Sequence, residues 1–170
     1  MDNESYKAIV NNPRMTDLLG QELIRDELLP SILGSDNHEI SYWAGKHLAR
    51  NHRLATFDDL ATFFTQFKLG NLKLVKKVGR QINWQLSGEI VKNRLDLFDD
   101  PDFYLESGFI AQSCQYISDQ TAEAEITKTN PSKGIVLIST FLGKDKPSED
   151  QEATDIFKLI SATPDETSDK

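Results

Sequence analysis

The order of apolar and polar positions changes period twice along this chain. Thr16 is placed to cap a helix over Asp17 to Leu29, whose Leu18, Leu19, Leu23, Ile24 and Leu28 make a broad apolar stripe, with Pro30 marking its end. The pattern is cleaner over Ile40 to His52. There Ile40, Trp43, Ala44, His47 and Leu48 recur at i, i+3, i+4, i+7 and i+8, so all five share one helical face. Ser41, Gly45 and Ala49 draw a second line of small residues, which admits another backbone closely, either inside the fold or across a dimer seam. Thr56 and Asp59 have capping-box spacing, and they open a third helix carrying Phe57, Leu60, Ala61 and Phe64, with Gly70 as its stop.

The period then falls to two. Leu72, Leu74 and Val78 alternate with lysines, Ile82, Trp84 and Leu86 with Asn83 and Gln85, and Gly79-Arg80 lies between as a hairpin turn. Ile90 to Leu97 suits a third strand or a short amphipathic helix, with strand favoured. Asp99 and Asp100 before Pro101 signal a helix start, since carboxylates suit the positive helix end and proline suits its first position. That helix runs to about Asp119. Alternation returns at Ala122, Ala124 and Ile126, a turn falls at Asn130 to Gly134, and Ile135 to Leu142 is apolar on both faces, as an interior strand is.

These elements predict an α+β fold: N-terminal helices packed on an antiparallel sheet, with a long buried helix before a C-terminal hairpin. Residues 1–142 read as one domain. From residue 143 the composition turns to Lys, Asp, Glu, Ser, Thr and Pro, which reads as an acidic, mobile tail with a short apolar island at 156–160, one helical turn able to dock on the domain or on a partner.

Composition narrows the chemistry. At 170 residues and 38% hydrophobic, the chain suits one core. No stretch reaches the roughly 18 to 20 apolar residues of a membrane span, and the acidic start lacks the charge of a signal peptide, so a cytoplasmic protein is expected. A net charge of −8 argues against nucleic acid. Lys68, Lys73, Lys76, Lys77 and Arg80 form a basic cluster that reads either as an anion site or as protective lysines on an edge strand. Cys114 stands alone, which leaves no disulfide, thiolate cluster or redox pair, and the three histidines have no metal-ligand spacing. No phosphate loop or GxSxG elbow is present, and neither metal nor cofactor is expected.

Projected on a helix, Pro101 to Ser118 gathers Phe103, Leu105, Phe109, Ile110, Cys114, Tyr116 and Ile117 into one apolar arc, and Glu106 and Ser113 fall inside it. A carboxylate aimed at a core costs on the order of several kcal/mol unless it is paired. Glu106 therefore either holds a ligand's polar head or acts as a base in a pocket, or it is salt-bridged to Arg80, Arg94 or a lysine of the hairpin. His47 reads as a hydrogen-bonded core residue, or else as a ligand or a base, and Cys114 as an inert core thiol.

ISYWAGKHLAR at Ile40 to Arg50, QINWQLSG at Gln81 to Gly88 and the Glu106, Gly108, Phe109 pattern resemble the YslB-like family of uncharacterised proteins from Gram-positive bacteria. The later half is similar to the 4-vinyl-reductase-like domain, whose relatives include TRAPP subunits and haem nitric-oxide sensor domains. The resemblance implies a helical layer on an antiparallel sheet, a homodimer, and an apolar pocket for a small molecule or acyl chain. The hairpin positions near Thr129 and Ser139, where such domains often carry cysteine, lack it here.

The reading that joins these features is a non-catalytic ligand- or protein-binding module, regulatory or adaptor in kind. Trp43, His47, Phe64, Trp84, Glu106, Phe109 and Ser113 are its candidate pocket residues. The alternatives are an enzyme using Glu106 or His47 as general acid or base, and a scaffold that docks partners through its tail.

Overall fold

The computed structural model describes residues 6, 7, 10, 11, 19–147 and 155–160. The expected cap at Thr16 and the first apolar residue, Leu18, lie outside the described residues, as does most of the acidic tail. Helical structure runs from α1 (Leu19–Glu22) through a π-helical turn (Leu23–Leu28) into α2 (Leu29–Leu33). Pro30 does not end the helix as its sequence position suggests. It is the second residue of α2, directly after a wide turn in which Leu29 N–H reaches the Ile24 carbonyl five residues back.

A 3-10 turn (Gly34–Asp36) leads to α3 (Asn37–Asn51). The small-residue line Ser41, Gly45 and Ala49 is its buried face, and the contact is internal. Against it crosses a later helix, α6 (Tyr104–Ser118). A Cβ on Gly45 would fall on the Leu105 carbonyl, 2.9 Å from Phe109 N; one on Gly108 would fall on the Tyr42 carbonyl, 3.2 Å from Lys46 N. The two backbones meet glycine to backbone on both sides. The apolar line at Ile40, Trp43, Ala44, His47 and Leu48 faces outward instead.

α4 (Phe57–Gln66) opens with the expected capping box: Thr56 Oγ1 accepts the Asp59 N–H at 3.0 Å, and the Thr56 N–H donates to Asp59 Oδ2 at 3.1 Å. β1 (Asn71–Val78) and β2 (Gln81–Ser87) pair across Gly79-Arg80, with Gly79 at φ 57°. A bulge at Val75 shifts the register of β1 and turns Val78 to the opposite face from Leu72 and Leu74; Leu72 is buried, while Leu74, on the same face of this edge strand, is exposed. Lys73, Lys76 and Lys77 line this edge strand in the open, which fits the protective reading.

The strand expected at Ile90 to Leu97 is a helix, α5 (Glu89–Leu97). Gly88, at φ 113°, turns the chain out of β2, and Ile90, Val91, Arg94 and Leu95 then bury at helical spacing, with Lys92 paired to Asp96 one turn on. α6 starts three residues after Pro101, because Asp102 accepts the Tyr104 N–H at 2.7 Å and its carbonyl is held by two arginines. After α6 come β3 (Ala122–Asn130), a 3-10 turn (Pro131–Lys133) and β4 (Ile135–Leu142).

The sheet is antiparallel in the order β1-β2-β4-β3, so β4 is interior as its two apolar faces predict. α6 lies between α3 and the sheet, and it is buried without a break from Glu106 to Gln115. The expected arc thus becomes the whole circumference. The core gathers Phe64, Trp84, Leu86, Phe109, Ile110 and Ile138 between helices and sheet. The outer edge of β3 is closed by α3. Tyr42 Oη accepts the Ala124 N–H at 3.0 Å and donates to Glu123, while Lys46 Nζ reaches Glu123 at 2.7 Å. Burial, with the Glu123 bond added, raises the Tyr42 pKa above its ordinary value. Asp155–Ile160 returns to the domain as a segment without regular secondary structure, not as a helical turn.

Candidate functional site

Glu106 projects from the first turn of α6 and is fully buried. Arg94, from the buried side of α5, donates to Glu106 Oε1 at 3.3 Å, and Arg25, from the π-helical turn, bonds Oε2. Both oxygens are therefore held by cations. Arg94 also clamps Asp26 with two parallel bonds, Nε to Oδ2 at 2.8 Å and Nη2 to Oδ1 at 2.7 Å, and gives a further bond of 2.5 Å to the Asp102 carbonyl. Its Cζ sits 4.3 Å from the centre of the Phe103 ring. Asp102 in turn accepts Asn37 Nδ2 at 2.7 Å. One arginine thus joins the π-helical turn, α5, α6 and the loop before it.

Charges follow from this packing. Burial alone lowers the Arg94 pKa, but the bonds and charges of Asp26, Glu106 and Glu22 outweigh it and hold the guanidinium more firmly protonated. Burial pushes the Asp26 carboxyl up, yet the Arg94 bonds and charge leave it below its ordinary value. Glu22, one turn before Asp26, lies 3.4 Å from Arg94 Nε, and burial, then its interaction with the Asp26 carboxyl, pushes its pKa up to about 8.

The sequence-predicted residues fall into two groups. Phe64, Trp84, Glu106, Phe109 and Ser113 are all buried. Phe64 meets the edge of Phe109 at 5.9 Å, Trp84 Nε1 donates to Thr140 Oγ1 at 3.1 Å, and Ser113 Oγ has no hydrogen-bond partner among the described residues. Trp43 and His47 stand on the outward face of α3; Trp43 is 52% exposed and His47 Nε2 is 3.3 Å from Asn51. The fold does not bring His47 to the enclosed Glu106. Cys114 is sealed in the core, and burial pushes its thiol up to about 12.

Glu106 was legible from its place in an apolar arc, and Arg94 was among its foreseen partners. Arg25, Asp26, Glu22 and Asp102 were not. Their signal was the charged run at Glu22, Arg25 and Asp26 inside an apolar stripe. An apolar stripe of this kind ordinarily faces the core, but Leu23, Ile24 and Leu28 are exposed and the charges turn inward. α3 is inverted in the same sense.

Among the described residues no helix is long and apolar enough to cross a membrane, and no group of three or more His, Cys, Asp or Glu is arranged to hold a metal. A family model described as protein of unknown function (DUF2507) matches residues 18–147. The chain is 35% identical over 136 residues to the uncharacterized protein YslB of Bacillus subtilis, covering 78% of this chain and 92% of that one. The fold is similar to the phenol-responsive sensory domain of the transcription activator PoxR, with a TM-score of 0.56, 9% identity, and coverage of 72% and 73%. A vinyl-4-reductase family protein from Methanocaldococcus jannaschii matches with a TM-score of 0.48 and 16% identity over 78% and 83%. A trafficking protein particle complex subunit 3 from Naegleria fowleri, covalently bound to palmitic acid, matches at 0.39 and 13% over 85% and 98%.

Proposed function

We propose, for a chain that belongs to the DUF2507 family of proteins of unknown function, a non-catalytic cytoplasmic binding module that works as a homodimer and holds a small apolar or amphipathic molecule. One observation carries the reading. The two N-terminal helical segments turn their apolar stripes outward and their charged or small residues inward, leaving Leu23, Ile24, Leu28, Ile32, Ile40, Trp43 and Leu48 exposed. Scattered exposed leucines are ordinary, but whole helical stripes facing water mark a surface that meets another apolar surface.

A second copy is the occupant that this surface fits. In an antiparallel crossing centred on Ala44, Ile40 of one copy lies opposite Leu48 of the other. Binding rather than catalysis is supported by Glu106, whose two oxygens are already held by Arg25 and Arg94.

In this reading the small molecule enters among Phe64, Trp84, Phe109 and Ser113, which pack in the core between helices and sheet and part to admit it. An unpartnered buried hydroxyl costs about 1–3 kcal/mol, and Ser113 Oγ is one; a ligand with one polar group in an apolar body recovers that cost. A fold shared with a phenol-responsive sensory domain makes simple phenols the first compounds to try. Native mass spectrometry of the full chain reads both parts. A mass of twice 19.2 kDa, with phenols or fatty acids adding mass and raising the thermal midpoint, is expected. A 19.2 kDa species with no added mass and no thermal shift across both panels overturns the proposal.

A further inference from the structure

We infer that the shallow groove between the end of α3 and α4 is a recognition site for an extended peptide with an aromatic residue at one position and an aliphatic one two places on, and that Asp155–Ile160 is its built-in occupant. The segment is bound as such peptides are, through main-chain bonds and alternate side chains. Phe157 N–H donates to the Arg53 carbonyl at 2.8 Å, and Gln66 Nε2 donates to the Ile160 carbonyl at 2.9 Å, so the segment is held near both ends. Phe157 turns inward onto an aromatic trio, with ring centres 5.0 Å from His52, 6.2 Å from Phe63 and 6.3 Å from Phe67. Leu159 packs on the core, while Ile156 and Ile160 turn outward.

The floor of the groove is rigid. Phe63 stacks on Phe67 at 4.0 Å and on the buried Phe109 at 4.6 Å, so the surface that Phe157 meets is continuous with the core. The occupant, by contrast, is lightly held among the described residues, with two hydrogen bonds, two inward side chains, and a Phe157 residue still 36% exposed. Ordering six residues offsets most of such a gain, and it is the tether that keeps the segment in place by raising its local concentration. A peptide of the same aromatic-x-aliphatic pattern from another protein would meet the same donors, acceptors and rings. The tail is thus an intramolecular competitor. This inference rests on the Phe157 contacts and does not depend on the proposed dimer.

The test uses the full chain carrying Phe157→Ala and Leu159→Ala, which empties the groove, and a fluorescein-labelled peptide with the sequence of residues 155–160. The double variant should bind this peptide at least tenfold tighter than the wild-type chain, in which the tail competes. A peptide with its phenylalanine replaced by alanine should not bind, and adding Gln66→Ala to the double variant should weaken binding severalfold. The inference is overturned if the double variant, with its thermal transition retained, binds no better than wild type. Equal binding of the alanine peptide overturns it as well.

Discussion

Glu22 shows how one buried proton sets a pH dependence. Its carboxyl is almost fully enclosed, and desolvation, reinforced by Asp26 and opposed by Arg94, raises its pKa from 4.5 to about 8. The folded chain therefore holds this proton more tightly than the unfolded one. The associated stability is fully present below about pH 4.5 and is lost as pH rises through about 8. Asp26 acts in the opposite sense: its pKa is lowered from 3.8, so its contribution is present above that value and lost as pH falls through the folded value. Between about pH 4.5 and 8 Glu22 contributes a falling slope whose limit is about 1.4 kcal/mol per pH unit. Glu22→Gln keeps the shape and removes the titration. Urea unfolding midpoints of the wild type should fall from pH 5 to pH 8 while those of the variant stay level; an equal slope in both would assign the effect elsewhere.

At the scale of elements, the crossing of α3 and α6 carries a sharp constraint. Gly45 and Gly108 each face backbone atoms of the other helix, which cannot swing aside as a flexible side chain can. Gly45→Ala gains helix propensity in isolation, but its methyl group meets the Leu105 carbonyl, and overpacking of this kind costs about 1–3 kcal/mol or more. The net change expected in urea unfolding is a loss of about 2 kcal/mol or more, whereas Gly20→Ala, with no atom near its added Cβ, is expected to leave stability level or slightly higher. The sequence carried this contact as a line of small residues, and it carried the capping box at Thr56 and the interior strand β4 equally well, since each is a local pattern. Ile90 to Leu97 was not legible, because eight residues with few breakers fit both periods, and the deciding Gly88 turn is a matter of φ. The direction of the helical stripes was hidden for another reason: periodicity tells which residues share a face, not which neighbour that face meets. Arg25, which lies 81 residues from Glu106 in sequence, shows the same limit for charges.

For the whole molecule, the outward α3 stripe sets how two copies would meet. In an isologous contact each patch faces its own copy, so a residue near the axis is met by itself, and Trp43 is next to Ala44, the centre of the proposed crossing. Within its own chain the Trp43 ring makes only peripheral contacts among the described residues, an edge contact with Tyr42 at 6.0 Å and the Lys46 ammonium at 5.3 Å. Trp43→Glu should therefore leave the monomer folded while setting two carboxylates close together across the axis, where like charges repel and apolar cover is lost. Light scattering on the eluting full chain is expected to give twice 19.2 kDa for the wild type and for Trp43→Phe, and 19.2 kDa for Trp43→Glu. Far-UV circular dichroism of the glutamate variant should match wild type, and its thermal midpoint should lose the dependence on protein concentration that association brings. A Trp43→Glu chain that still elutes at twice 19.2 kDa would place the dimer on another face.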